Sequence, residues 1–146
     1  MITNKNILIS GAGISGLTLA YWLHKHGFSP TVIEKRPNLN NRGYMIDFYG
    51  SGYDVAEKMG LIEQLEKKAE QYPISKLEFV DNNGKPRATL DVKQFKEVLG
   101  NRYFPLMRGD LETVIYDAVK DEVSVRFDAS LTSLKVRAEA VEVEFS

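Results

Sequence analysis

Gly11, Gly13 and Gly16 stand in the segment Ile7-Leu8-Ile9-Ser10-Gly11-Ala12-Gly13-Ile14-Ser15-Gly16-Leu17, and Glu34 closes the run Thr31-Val32-Ile33-Glu34 further along. Residues of these types at this spacing are the fingerprint expected of a dinucleotide site, against the alternative of a purely structural glycine turn. An apolar strand leads into a glycine turn, a helix follows, and a second strand ends in an acid. Gly11 permits the tight turn. Gly13 has no Cβ, so a pyrophosphate can approach the backbone, and Gly16 lets the helix pack closely on the strand. The N–H groups at the helix start face the phosphates, where the helix dipole favours negative charge. The Glu34 carboxylate is placed to accept hydrogen bonds from the adenosine ribose hydroxyls.

The elements that must hold these residues are legible around them. Residues 5–10 read as a buried strand and 14–26 as a helix with Ile14, Leu17, Ala20 and Leu23 inward, closed by Gly27. Pro30 precedes the second strand, and the polar stretch from Lys35 to Gly43 reads as a loop. Residues 44–48 read as a short strand. Ser51 with Asp54 predicts a capped helix start, with the helix stopping at Gly60, and a charged helical piece follows over 61–70. The Asn83-Gly84 pair between two apolar runs, 76–80 and 86–90, predicts a β-hairpin. Tyr103 to Met107 reads as a strand. Asp110 is expected to cap a helix that carries Leu111, Val114, Ile115, Ala118 and Val119. Residues 123–127 are the expected third parallel strand, and 131–136 with 141–145 alternate as antiparallel strands do.

The chain has 146 residues, a net charge of −1 with both signs interspersed, and no cysteine. Its length suits about one domain. Disulfides, thiolate catalysis and cysteine-ligated metal centres are excluded. No basic block calls for nucleic acid or a membrane surface. The first strand begins close to Met1 with no signal peptide before it, and no apolar run approaches a membrane span, so a cytoplasmic protein is expected. The two histidines, His24 and His26, lie two apart near a helix end, face different directions and read as surface residues. Trp22 reads as packing.

Ile7 to Arg36 resembles the start of FAD-dependent monooxygenases of the p-hydroxybenzoate hydroxylase type. Two further segments sharpen the resemblance. Arg42-Gly43-Tyr44-Met45-Ile46-Asp47-Phe48-Tyr49-Gly50-Ser51-Gly52 is similar to the tetracycline-inactivating branch, and Leu106-Met107-Arg108-Gly109-Asp110-Leu111 matches the family's R-x-x-L element. The resemblance implies an α/β fold: a Rossmann-like FAD-binding βαβ unit with an inserted β-hairpin and substrate-domain portion. Residues 1–146 would be the N-terminal part of the FAD-binding domain, with about 71–107 contributing to a partial substrate domain.

It also implies roles. Gly11, Gly13, Ile14, Ser15 and Gly16 would cradle the FAD pyrophosphate, and Glu34 would hold the adenosine ribose. Lys35 or Arg36 would lie beside the adenine. Arg42 would be near the flavin, Asp47 on the flavin side, and Arg108 near the ribityl–phosphate region. NAD(P)H would be the reductant, O2 the oxidant, and a small organic molecule, aromatic or polycyclic, the substrate. The family's second FAD motif, with its Asp-Gly and Gly-Asp pairs, is missing from the sequence. The expectation is therefore the first part of a longer protein, inactive alone, with an uncovered sheet edge at Ile7-Leu8-Ile9 that favours self-association. Two other readings stand beside it: an NAD-linked dehydrogenase and a truncated non-catalytic nucleotide-binding module. Glu34 argues against NADP at this first site, since it would repel a 2′-phosphate.

Overall fold

The computed structural model describes residues 4–40 and 43–146. The chain divides into two compact units, Met1–Arg42 with Leu111–Ser146, and Gly43–Asp110. The first unit opens with β1 (Asn6–Ser10), α1 (Ile14–Lys25) and β2 (Ser29–Ile33). The second unit contains β3 (Met45–Tyr49), α2 (Gly50–Lys58), α3 (Ile62–Ala69), β4 (Lys76–Val80), β5 (Pro86–Asp91), α4 (Val92–Val98) and β6 (Tyr103–Met107). Helix α5 (Arg108–Asp117) returns the chain to the first unit, which ends with β7 (Ser124–Arg126), β8 (Leu131–Val136) and β9 (Val141–Phe145).

The first unit is the predicted βαβ fold. Strands β1, β2 and β7 form a parallel sheet in the order β1-β2-β7. Val32 and Ile33 on the central strand are buried side by side, as expected where both faces of a parallel strand are covered. Pro30 is tolerated because the pairing to β7 begins one residue later, at Thr31. Leu17 and Ala20 of α1 are fully buried, whereas Ile14 and Leu23 are half-buried. Gly27 closes α1 at φ +77°, and Phe28 N–H donates to the Leu23 carbonyl, the left-handed end that glycine allows. Strand β1 lies at a sheet edge, as anticipated. Strands β8 and β9 form an antiparallel hairpin. A cleft of about 1190 Å³ is lined by Ile7 and Leu8 of β1 and by Leu134, Val141, Val143 and Phe145 of the hairpin.

The second unit is organised by the antiparallel pair β3–β6, in register from Met45↔Met107 to Tyr49↔Tyr103. Phe48 and Phe104 stack at 5.4 Å on one face, where Tyr53 of α2 joins them. Leu65 and Ala69 of α3 complete this core. Arg102 lies 4.4 Å over the Tyr53 ring and donates to Asp54 and Glu57, tying α2 to the segment before β6. The Asn83-Gly84 hairpin joins β4 and β5 as predicted. Its tip is held by Asp81, whose Oδ1 accepts from the N–H groups of Asn83 and Lys85.

Three local features differ from the sequence reading. Helix α2 starts at Gly50, directly after β3, and its N-cap is Tyr49 with no side-chain cap, so Ser51 lies inside the first turn. Helix α5 likewise starts at Arg108. Asp110 is in its first turn, where its carboxylate accepts from the Tyr72 hydroxyl at 2.8 Å and pairs with Lys68. Both helices follow a strand without a loop, and the extended N-cap of α2 is the last strand residue, Tyr49, rather than Ser51. Helix α4 was not anticipated. It is short, and Asp91 caps it by accepting from Gln94 N–H.

Candidate functional site

The glycine turn has the geometry that phosphate binding needs. Gly11 takes φ +109°, a left-handed conformation that side chains disfavour, and its N–H donates to the Ile33 carbonyl at 2.7 Å. A Cβ on Gly16 would fall 2.0 Å from the Gly11 carbonyl oxygen and 3.4 Å from Ile9 Cγ2. Gly16 therefore lets the helix close onto the turn itself as well as onto the strand. Gly13 differs from both. Its φ of −80° and ψ of 179° suit any residue, so the backbone does not require glycine there. A missing Cβ that the chain's conformation does not need fits a group approaching from outside. Gly13 is also the N-cap of α1, with no side-chain cap and no acid in the first turn. The amides of Ile14 and Ser15 thus begin a helix with no acidic residue in its own first turn.

Glu34 faces this turn. Its Oε2 accepts from Ala12 N–H at 3.0 Å and its Oε1 accepts from Arg36 N–H at 3.0 Å. The carboxylate thereby joins the glycine loop to the loop after β2. Each oxygen retains a lone pair for a further donor such as a ribose hydroxyl. Lys35 and Arg36 are exposed beside it. The Arg36 carbonyl accepts from Asp128 N–H and the Glu34 carbonyl from Ala129 N–H, so the loop after β7 fixes the backbone on both sides of Lys35.

The structure thus brings Gly11, Gly13, Ile14, Ser15, Gly16 and Glu34 together, with Lys35 and Arg36 adjacent. Asp47 and Arg108 lie in the second unit, and Arg42 falls outside the described residues. Arg108 is half-buried at the start of α5, and its N–H donates to the Tyr44 carbonyl, extending the β3–β6 ladder. Gly43 lies against it: a Cβ there would stand 3.1 Å from Arg108 Cβ and 3.1 Å from Gly109 N.

Asp47 is exposed on β3 and accepts from the Tyr103 hydroxyl at 2.7 Å. Sequence reasoning places Tyr103 in a strand but gives it no part in the site. Tyr103 is fully buried, and burial first, with the bond to Asp47 second, pushes its hydroxyl well above the usual tyrosine range. The unfolded chain releases this proton near pH ~10, while the folded chain retains it. The stability tied to the protonated hydroxyl is therefore complete below about pH 10 and falls as pH rises further. Wild-type protein should exceed Tyr103→Phe by about 1.5 kcal/mol at pH ~8. Urea midpoints of the two should converge near pH ~11 as that contribution is lost. A gap independent of pH would show that the hydroxyl is not held protonated.

Comparison with known proteins agrees with this geometry. Residues 9–55 match the family model described as an NAD(P)-binding Rossmann-like domain. The chain is 33% identical over 143 residues to the FAD-dependent monooxygenase asL4 of Sarocladium schorii, covering 96% of this chain and 33% of that protein. It is also 33% identical over 148 residues to a flavin-dependent monooxygenase of Legionella longbeachae, covering 99% of this chain and 36% of the relative. Among solved structures, the tetracycline destructase Tet(55) superposes with a TM-score of 0.80 at 29% identity, over 99% of this chain and 35% of the other. The chain therefore spans about a third of the length of the proteins it matches.

Proposed function

We propose that this chain, a relative of the flavin-dependent monooxygenases over nearly its whole length, is the FAD-binding portion of such an enzyme. The observation that carries the reading is the pairing of the uncapped α1 N-terminus at Gly13 with the Glu34 carboxylate. One end of the site offers backbone N–H groups to a pyrophosphate, and the other offers acceptor oxygens to a ribose. Gly11, Gly13, Ile14, Ser15 and Gly16 would hold the pyrophosphate and Glu34 the adenosine ribose. Lys35 or Arg36 would border the adenine. Arg42, Asp47 and Arg108 would serve the flavin half.

Bound flavin, reduced by NAD(P)H, would supply the oxygen chemistry for hydroxylating a small organic substrate. The residues of this chain would bind and orient. None of them is assigned as an acid, base or nucleophile. The likeness to a tetracycline destructase supports an aromatic or polycyclic substrate as the reading for this chain.

The test is gel filtration of purified protein with added FAD and, separately, with NADH. Co-eluting flavin absorbance, with no retention of NADH alone, is the expected result. Retention of NADH without FAD would replace this reading with a nicotinamide-linked dehydrogenase.

A further inference from the structure

A cavity of about 380 Å³ lies wholly within the second unit, between the C-terminal end of α3, helix α4 and strand β6. Its size is that of a small-molecule site. Its described lining includes none of the residues assigned above to FAD. Ala69, Val92 and Phe104, all buried, form an apolar wall with the half-buried Ile74.

Strand β6 contributes three successive residues, Tyr103, Phe104 and Pro105. Successive side chains point to opposite faces of a strand, so three in a row meet a cavity along the main-chain edge. The pairing parity says which groups that edge presents. Arg108 N–H donates to the Tyr44 carbonyl, and the hydrogen-bonded pairs therefore recur at Leu106 with Ile46 and at Phe104 with Phe48. The main-chain groups of Tyr103 and Pro105 point away from β3. Proline has no N–H, so this stretch of edge offers two carbonyls against one N–H.

Two carboxylates border the same cavity. Glu66 and Glu70 stand one turn apart at the end of α3. Among the described residues, neither side chain is held in a hydrogen bond or an ion pair. The Tyr72 hydroxyl, also on the lining, is already committed to Asp110. Lys96 of α4 is the only cation in the described lining. Acceptors and negative charge are thus in excess beside an apolar wall.

We propose that this cavity binds an organic monocation, a primary ammonium carried on a compact apolar body. The ammonium donates to the outward carbonyls of β6 and to the carboxylates of α3, and the apolar body lies against Val92 and Ile74. Lys96 weighs against a second positive charge on the ligand.

The experiment is a titration of the whole chain followed by amide NMR spectra, with phenethylamine as the probe and phenylpropionate as the anion of similar shape. Phenethylamine should shift the amides of Ala69, Val92, Tyr103 and Phe104 to saturation, and phenylpropionate should leave them unmoved. The double variant Glu66→Gln, Glu70→Gln should weaken phenethylamine about tenfold, the worth of one hydrogen bond to a charged group. Near-ultraviolet circular dichroism is the control for its fold. If the variant does not fold, the contrast between amine and anion on the wild-type chain decides. No saturable shift with the amine, shifts that map outside this cavity, an equal response to the anion, or unchanged affinity in a folded double variant would each overturn the proposal.

Discussion

Replacing Gly16 with alanine should lower the melting temperature by roughly 10 °C, the consequence of about 3 kcal/mol of overpacking in a chain of this size. The added Cβ would stand 2.0 Å from the Gly11 carbonyl oxygen. That atom cannot swing aside as the end of a flexible side chain can. It belongs to a residue at φ +109° whose N–H is bonded to the Ile33 carbonyl. Relief requires moving α1 away from the turn, which opens the packing of Leu17 and Ala20, both fully buried. The same movement withdraws the first-turn amides from the phosphate position. FAD retention on gel filtration should therefore be lost even at temperatures where the variant is folded. Gly13→Ala is the natural contrast. Its backbone already suits alanine, so stability should hold while FAD affinity falls. A Gly16→Ala protein with wild-type melting temperature and flavin content would refute this account of the turn.

Glu34→Ala should have the second-largest effect, with two separable components. Ala12 is almost fully buried, and its N–H has the Glu34 carboxylate as its acceptor. Losing that acceptor leaves a buried donor unsatisfied, at about 2 kcal/mol. The ribose would lose its acceptors too, and affinity for AMP and FAD should fall about a hundredfold by the worth of two such bonds. Glu34→Gln keeps one acceptor oxygen and should fall between. Isothermal titration with AMP, alongside thermal melts, distinguishes the components. An unchanged AMP affinity in a destabilised Glu34→Ala protein would confine the residue to a structural role.

Much of the first unit was legible because its signals are local. Gly11, Gly13 and Gly16 lie within six residues, and the apolar runs of β1 and β2 flank them. The Asn83-Gly84 hairpin was legible for the same reason. Helix starts were less so: Ser51 and Asp110 have the composition of caps, but β3 and β6 pass directly into α2 and α5. Helix α4 was missed because seven residues are too few to display a 3.6-residue period. The Tyr103–Asp47 pair joins residues 56 apart in sequence through strand register, which no spacing rule reveals. The double use of Glu34 was half legible. Its acid type suggested a ribose partner, but its bonds to Ala12 and Arg36 depend on where two loops meet.

Those two bonds bear on the speed of recognition. With Ala12 and Arg36 already tethered to one carboxylate, and the neighbouring backbone stitched to Asp128 and Ala129, the nucleotide has little loop to order on arrival. The entropic cost is met during folding of the chain, before any ligand is present. Capture should accordingly proceed in one kinetic phase whose rate rises linearly with nucleotide concentration, and differences in affinity among adenine nucleotides should reside in their residence times.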